Sequence, residues 1–235
     1  MSTLRAVLIT TQWLAVISLL LLCYIVPIGT FNGPCSSEAN SPSSLAPRRP
    51  WEVLSNISFF IASFGISYAA YFGKDHIPIW YAVCTPLLVA HIGVASFTYH
   101  RASSKETSDW DGAAILLYLS YETGVTTRKS FIIPAVMVFC VPFVVIDQGV
   151  FWISAVEIGI IVIVELIRYA SRGLSMSLAW ILMAMMMGSV AISMYFVSGD
   201  GCDGIELLGH GIWHVFVSAC IVSLFAARAA DSEFT

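Results

Sequence analysis

Charge is what this sequence lacks. Asp, Glu, Lys and Arg make up 11% of its 235 residues, against 58% hydrophobic, and the mean hydropathy is +0.83. Soluble domains carry about 25% charged residues, so this composition excludes that class and indicates a polytopic helical membrane protein. Basic residues are too sparse for a nucleic-acid-binding face. Lysine is scarcer still. Lys74, Lys105 and Lys129 fall in loops or at span ends, leaving no Schiff-base lysine in the last span, as a retinal protein would need. Internal repeats, coiled-coil heptads and paired broken helices of the transporter kind are also absent. The first apolar segment is longer than a signal-peptide core and lacks an Ala-x-Ala end, so a retained helix is expected.

What the chain does contain is apolar runs. Eight are long enough, at roughly 17 to 25 residues per span, to cross a bilayer. They cover 6–28, 51–73, 78–99, 109–127, 130–147, 150–170, 176–197 and 205–228. The expected fold is an all-α membrane protein, a seven-transmembrane-helix core over 51–228 with one additional N-terminal helix over 1–29. A Ser-, Pro-, Asn- and Gly-rich exoplasmic loop over 30–50 joins them, and 229–235 forms a cytoplasmic tail. Later connections are short, so neighbouring spans should be antiparallel.

That arrangement places Arg5, Lys74, Arg128, Lys129, Arg168, Arg172 and Arg228 at one membrane face and Arg48, Arg49, Arg101 and Lys105 at the other. The excess marks the first face as cytoplasmic. Four cysteines, Cys23, Cys84, Cys140 and Cys220, lie within spans, whereas Cys35 and Cys202 lie in loops on the opposite, exoplasmic face. Those two could form a disulfide in an oxidising compartment or remain free thiols. Multi-pass residence in the endoplasmic reticulum, Golgi or plasma membrane follows. Asn56-Ile-Ser58 has the glycosylation pattern but lies too near the membrane to be used.

Against this background polar residues stand out, because ionisable groups are costly at membrane depth and mark function there. His100 ends the third span, Asp111 begins the fourth, and His210 and His214 begin the eighth. Antiparallel packing brings all four to one depth, on the exoplasmic face. His210 and His214 are four residues apart and share a helical face, as a metal chelate requires. His100 would complete a three-histidine set with an open fourth position, the pattern of a catalytic zinc. No Cys, Met or carboxylate ligand stands at matching positions to favour copper or iron. Such a zinc lowers the pKa of its water to roughly 7 and polarises a carbonyl, so hydrolysis is the expected chemistry. Asp111 would then carry the proton. Ser96, one turn before His100, is either an oxyanion donor or a helix-packing hydroxyl.

Other polar groups read as structural. His91 is expected to be a hydrogen-bonded packing residue, and Glu122, Glu157 and Glu165 to be neutral or paired. Met183, Met185, Met186 and Met187 suit packing or lipid contact. Asp109 and Asp111 point to different helix faces, so one of them should face the metal. Glu206, one turn before His210, would orient a ligand or favour the helix N-terminus.

Ser96-Phe-Thr-Tyr-His100, Asp111 and His210-Gly-Ile-Trp-His214 together resemble the CREST superfamily of seven-helix membrane zinc hydrolases. That superfamily includes alkaline ceramidases, progestin and adiponectin receptors and GPI-remodelling phospholipases. The ten-residue gap between His100 and Asp111 is similar to the ceramidase and GPI-phospholipase spacing. Asp109-Trp-Asp-Gly-Ala is also similar to the receptors' aspartate segment, which keeps Asp109 in reserve. Trp51-Glu52-Val-Leu-Ser55-Asn56 resembles the first core helix of the ceramidases, and Cys35 with Cys202 their lumenal disulfide. The resemblance implies His100, His210 and His214 as zinc ligands, with Asp111 and Ser96 catalytic. It implies a membrane lipid substrate, ceramide, cleaved to a sphingoid base and fatty acid. A GPI- or phospholipid-directed acyl esterase and a receptor-like member with structural zinc are the alternatives. The acidic calcium loop of the ceramidases is not reproduced, since only Glu38, Asn40 and Glu52 surround Arg48-Arg49, and Ca2+ dependence stays open. The additional N-terminal helix also departs from the common plan.

Overall fold

Long apolar sequences with no water to satisfy their backbone must bond it internally, and a helix does so within one segment. Every element in the computed structural model is accordingly helical among the described residues, which are 10, 12–14, 17, 50–72, 77–102, 105–127, 147–171, 175–198 and 204–230. The helices are α1 (Pro50–Ser55), α2 (Ile57–Phe72), α3 (Ile79–Ala102), α4 (Lys105–Thr127), α5 (Asp147–Ala170), α6 (Met176–Ser198) and α7 (Gly204–Ala229). Four segments are long and apolar enough to cross a membrane: Trp51–Phe72, which joins α1 to α2, then Ile79–Arg101, Met176–Ser198 and Leu208–Ala229. This is consistent with an integral membrane protein. Helices α4 and α5 match them in length, at 23 and 24 residues, but carry charges such as Asp111, Glu122, Glu165 and Arg168 in their interiors. The predicted span at 130–147, apart from its last residue, and the Cys35–Cys202 pairing lie outside the described residues.

A local competition for one carbonyl separates α1 from α2. Both Ser55 Oγ and Asn56 Nδ2 donate to the Glu52 carbonyl, each at 2.8 Å. Side chains that bond the preceding turn in this way divert backbone groups from the helical ladder, and Phe59 N bonds back to Asn56 O at 3.1 Å to restart it. The break fixes the face on which Glu52 and Ser55 emerge. At α6, Ser175 caps the helix by accepting from Leu178 N at 3.2 Å.

Small residues and hydroxyls set the packing, as expected where the surroundings are as apolar as the side chains. A Cβ on Gly93 of α3 would lie 3.0 Å from Phe59 Cβ of α2, and Ser63 of α2 donates to the Pro86 carbonyl of α3 at 2.7 Å. Helix α7 is tied to α2 where the Ser58 and Ser218 hydroxyls meet at 2.9 Å. Large apolar side chains, among them Ile61, Phe64, Ile163, Ile167, Met186 and Phe196, remain exposed outward, on faces suited to lipid. Arg228, assigned from the sequence to a span end at the membrane face, is buried within the bundle.

Gly209 brings α7 against α6, since its Cβ would lie 3.2 Å from Met194 O and 3.3 Å from Ser198 Cα. These are backbone atoms and cannot rotate away. Gly209→Val is expected to destabilise the fold by about 1–3 kcal/mol, as overpacking does, read as a lower thermal midpoint in detergent.

Candidate metal centre

One end of the bundle gathers the polar residues. His100 lies near the end of α3, Asp111 near the start of α4, and His210 and His214 near the start of α7, beside Glu52 and Ser55 of α1. The three histidines each offer a ring nitrogen, and these atoms all lie within 4.8 Å of one another. His100 Nε2 and His210 Nε2 are 3.2 Å apart. Two nitrogens bound at roughly 2.0–2.1 Å to one tetrahedral ion would stand about 3.3 Å apart, so this pair already has the spacing a shared cation needs.

The outer nitrogens are committed elsewhere, which aims the inner ones. His100 Nδ1 lies 2.9 Å from Glu52 Oε2. A carboxylate only accepts, so Nδ1 carries the proton and Nε2 presents its lone pair inward. His214 Nδ1 lies 2.7 Å from Ser55 Oγ. With the Ser55 proton given to the Glu52 carbonyl, Nδ1 of His214 donates and the Nε2 lone pair is left on the Ser96 side of the ring. Both tautomers therefore suit metal ligation, with partners of the kind that orient ligating imidazoles. His214 is 0% exposed and His100 5%. Phe59, Trp213 and Tyr195 ring the histidines, with Trp213 4.8 Å from His214 and 5.1 Å from His210 between centroids.

Ser96 Oγ lies 3.4 Å from His214 Nε2. Asp111 faces both Ser96 and His100, and its Oδ1 is buried without a hydrogen-bond partner among the described residues. A buried carboxylate oxygen without a donor is costly, and a group entering the site would relieve that cost. Asp109 is drawn away, with its carboxylate 3.1 Å from Lys105 Nζ on the exposed side of α4. Of the two aspartates, Asp111 is the one brought to the histidines. His91 accepts from Trp110 Nε1 at 2.9 Å, as its packing role anticipates. The side chain of Glu206 lies outside the described set.

Glu52 and Ser55 are the site residues that sequence reasoning did not assign. A usable signal was present: Glu52 is an acidic residue at the start of an apolar span, and Ser55 follows three residues later on the same helical face. Their removal is expected to weaken metal binding without abolishing it. Glu52→Gln and Ser55→Ala should each lower metal affinity about 10- to 100-fold, measured by chelator competition, with helical content unchanged.

Comparison with known proteins finds no matching family model, no matching curated protein and no matching solved structure.

Proposed function

We propose that this protein is a zinc-dependent intramembrane hydrolase that cleaves a lipid amide, most similar to the alkaline ceramidases. The observation that carries the reading is the convergence of three imidazoles beside a buried carboxylate oxygen that has no donor among the described residues. The donor set is all nitrogen, with two tautomers fixed from outside, which suits zinc with an open coordination position. Bound there, zinc would supply a Lewis acid for the carbonyl and an activated water near neutral pH. Around it we infer a seven-helix core over 51–228 with an additional N-terminal helix.

In this reading Asp111 Oδ1 accepts the proton of the attacking water, and its place outside the ligand set leaves it free to do so. The water oxygen joins the acyl carbon as the C–N bond breaks. Asp111 then returns the proton to the leaving amine, yielding a fatty acid and a sphingoid base. Ser96, 2% exposed, donates its hydroxyl to the developing oxyanion. The aromatic wall of Phe59, Trp213 and Tyr195 limits water around these groups, and apolar outer helix faces allow entry from the bilayer.

The test is metal analysis of the purified protein together with fatty-acid release from ceramide and from phospholipid. Zinc with ceramide cleavage supports the reading. Zinc with phospholipid cleavage alone would move the assignment to an acyl esterase, and zinc with neither activity would favour a receptor-like member. Protein that takes up no metal overturns it.

A further inference from the structure

A second set of charges is buried at the other end of the bundle, and the proposed chemistry makes no use of it. Arg228 of α7 is 2% exposed. Its Nη1 lies 2.6 Å from Glu122 Oε2 of α4 and its Nη2 3.2 Å from Glu165 Oε1 of α5, and Nη2 also donates to Thr126 Oγ1. The Nη1 N–H does not point along the line to Glu122, so that contact is a charge pair rather than an aligned hydrogen bond. Arg168 of α5 donates to both oxygens of Glu165 at 3.1 Å and to the Thr126 carbonyl at 2.5 Å. Two arginines and two glutamates make the set neutral. Tyr81 of α3 lies beneath the Arg228 guanidinium, with 5.7 Å from carbon to ring centroid.

The backbone shows why this set matters. Within 8 Å between Cα atoms, α7 meets α1, α2 and α6, and among the described residues it meets none of α3, α4 or α5. Side chains alone span that gap. Phe225, one turn before Arg228, stacks across it on Tyr81 of α3 at 5.5 Å, and Tyr81 stacks in turn on Tyr121 of α4 at 6.1 Å between centroids. Such contacts are less directional than a hydrogen bond or ion pair and specify axial position less sharply. The side-chain hydrogen bonds and ion pairs seen across the gap among the described residues lie at its two ends, at the histidines and at Arg228. A guanidinium whose Nη2 donates to Thr126 of α4 and Glu165 of α5, while Nη1 pairs by charge with Glu122, does fix position, and in apolar surroundings breaking such a pair is costly.

We propose that Arg228 is a positioning residue: it clasps α7 to α4 and α5, setting the axial register that holds His210 and His214 opposite His100 and Asp111. Its consequence for metal rests on the reading of the histidines as a metal site. The lever is rigid, since the fourteen residues from His214 to Arg228 span about 21 Å of continuous helix. A slip of one turn is about 5.4 Å, which exceeds the 3.2 Å between the His100 and His210 nitrogens.

The experiment compares wild type with Arg228→Met/Glu122→Met, which leaves the Glu165–Arg168 pair balanced, and with Arg228→Lys, which keeps the charge but loses the fork. Register is read by electron-electron resonance between nitroxides at Trp110→Cys on α4 and Leu208→Cys on α7, with the native cysteines replaced. Metal affinity is read separately on the three proteins with their native cysteines. The double variant is expected to fold, because apolar groups often replace buried ion pairs without loss. Its label-distance distribution should shift or broaden relative to wild type, and its metal affinity should fall at least about 10-fold. Arg228→Lys should move both in the same direction and supplies the measurement if the double variant fails to fold. An unchanged label distance in a folded variant overturns the clasp. Wild-type protein that binds no metal overturns the metal reading instead, and the label distances still decide the clasp.

Discussion

His214→Ala is expected to yield a folded protein with no bound metal above background. Of the three histidines, His214 is the most enclosed, 0% exposed, with Nδ1 held by Ser55 and Nε2 3.4 Å from Ser96 Oγ. Removing it leaves two imidazoles, fewer than the three that hold a catalytic zinc. The fold should tolerate the change, because the Ser55 hydroxyl still donates to the Glu52 carbonyl and Ser58 and Ser218 still join α2 to α7. The sharper readout is linkage. A ligand at 100 times its dissociation constant stabilises the folded state by about 2.7 kcal/mol, so zinc should raise the unfolding temperature of wild type and leave that of His214→Ala unmoved. A variant that keeps its full metal content would show that the ligands have been misassigned.

The site was legible in the sequence because its features are periodic. The i, i+4 spacing of His210 and His214, and the alternation of antiparallel spans, together suffice to place three histidines at one end of the bundle, where the structure has them. The resemblance in spacing favours Asp111 over Asp109, but helical periodicity by itself does not choose between them. Two residues apart on a helix face different directions, but which direction is inward depends on the neighbours, and it took Lys105 on one side and Ser96 with His100 on the other to decide it. Glu52 stands out as an acidic residue at the start of an apolar span, but its role does not. Its partner is His100, on another helix, and a contact between helices leaves no periodic trace in either segment.

Arg228 shows the limit of charge counting. Near the end of an apolar run a basic residue is expected to reach for the membrane surface. It turns inward here because Glu122 and Glu165, on two other helices, meet it there. The expectation that those glutamates are paired holds, yet the sequence alone does not reveal that one arginine pairs with both. Long apolar spans fix where helices run, whereas buried polar residues determine how they are rotated and how far each is slid along its neighbours.

Asp111→Asn is expected to separate metal binding from turnover. The amide has the size of the carboxylate and leaves the packing of α4 unchanged, so the helices and the three histidines should stay in place. It cannot take a proton from water. Loss of a positioned general base lowers rate about 10²- to 10⁴-fold, and ceramide hydrolysis should fall by that factor while bound zinc stays at the wild-type level. Asp109→Asn supplies the control, since that carboxylate is held by exposed Lys105 and its loss should leave the rate unchanged. If Asp111→Asn retained wild-type hydrolysis, the buried oxygen would be structural and another group would carry the proton. If the rate fell together with metal content, Asp111 would act by holding the site together, and the proton-carrier role would fail.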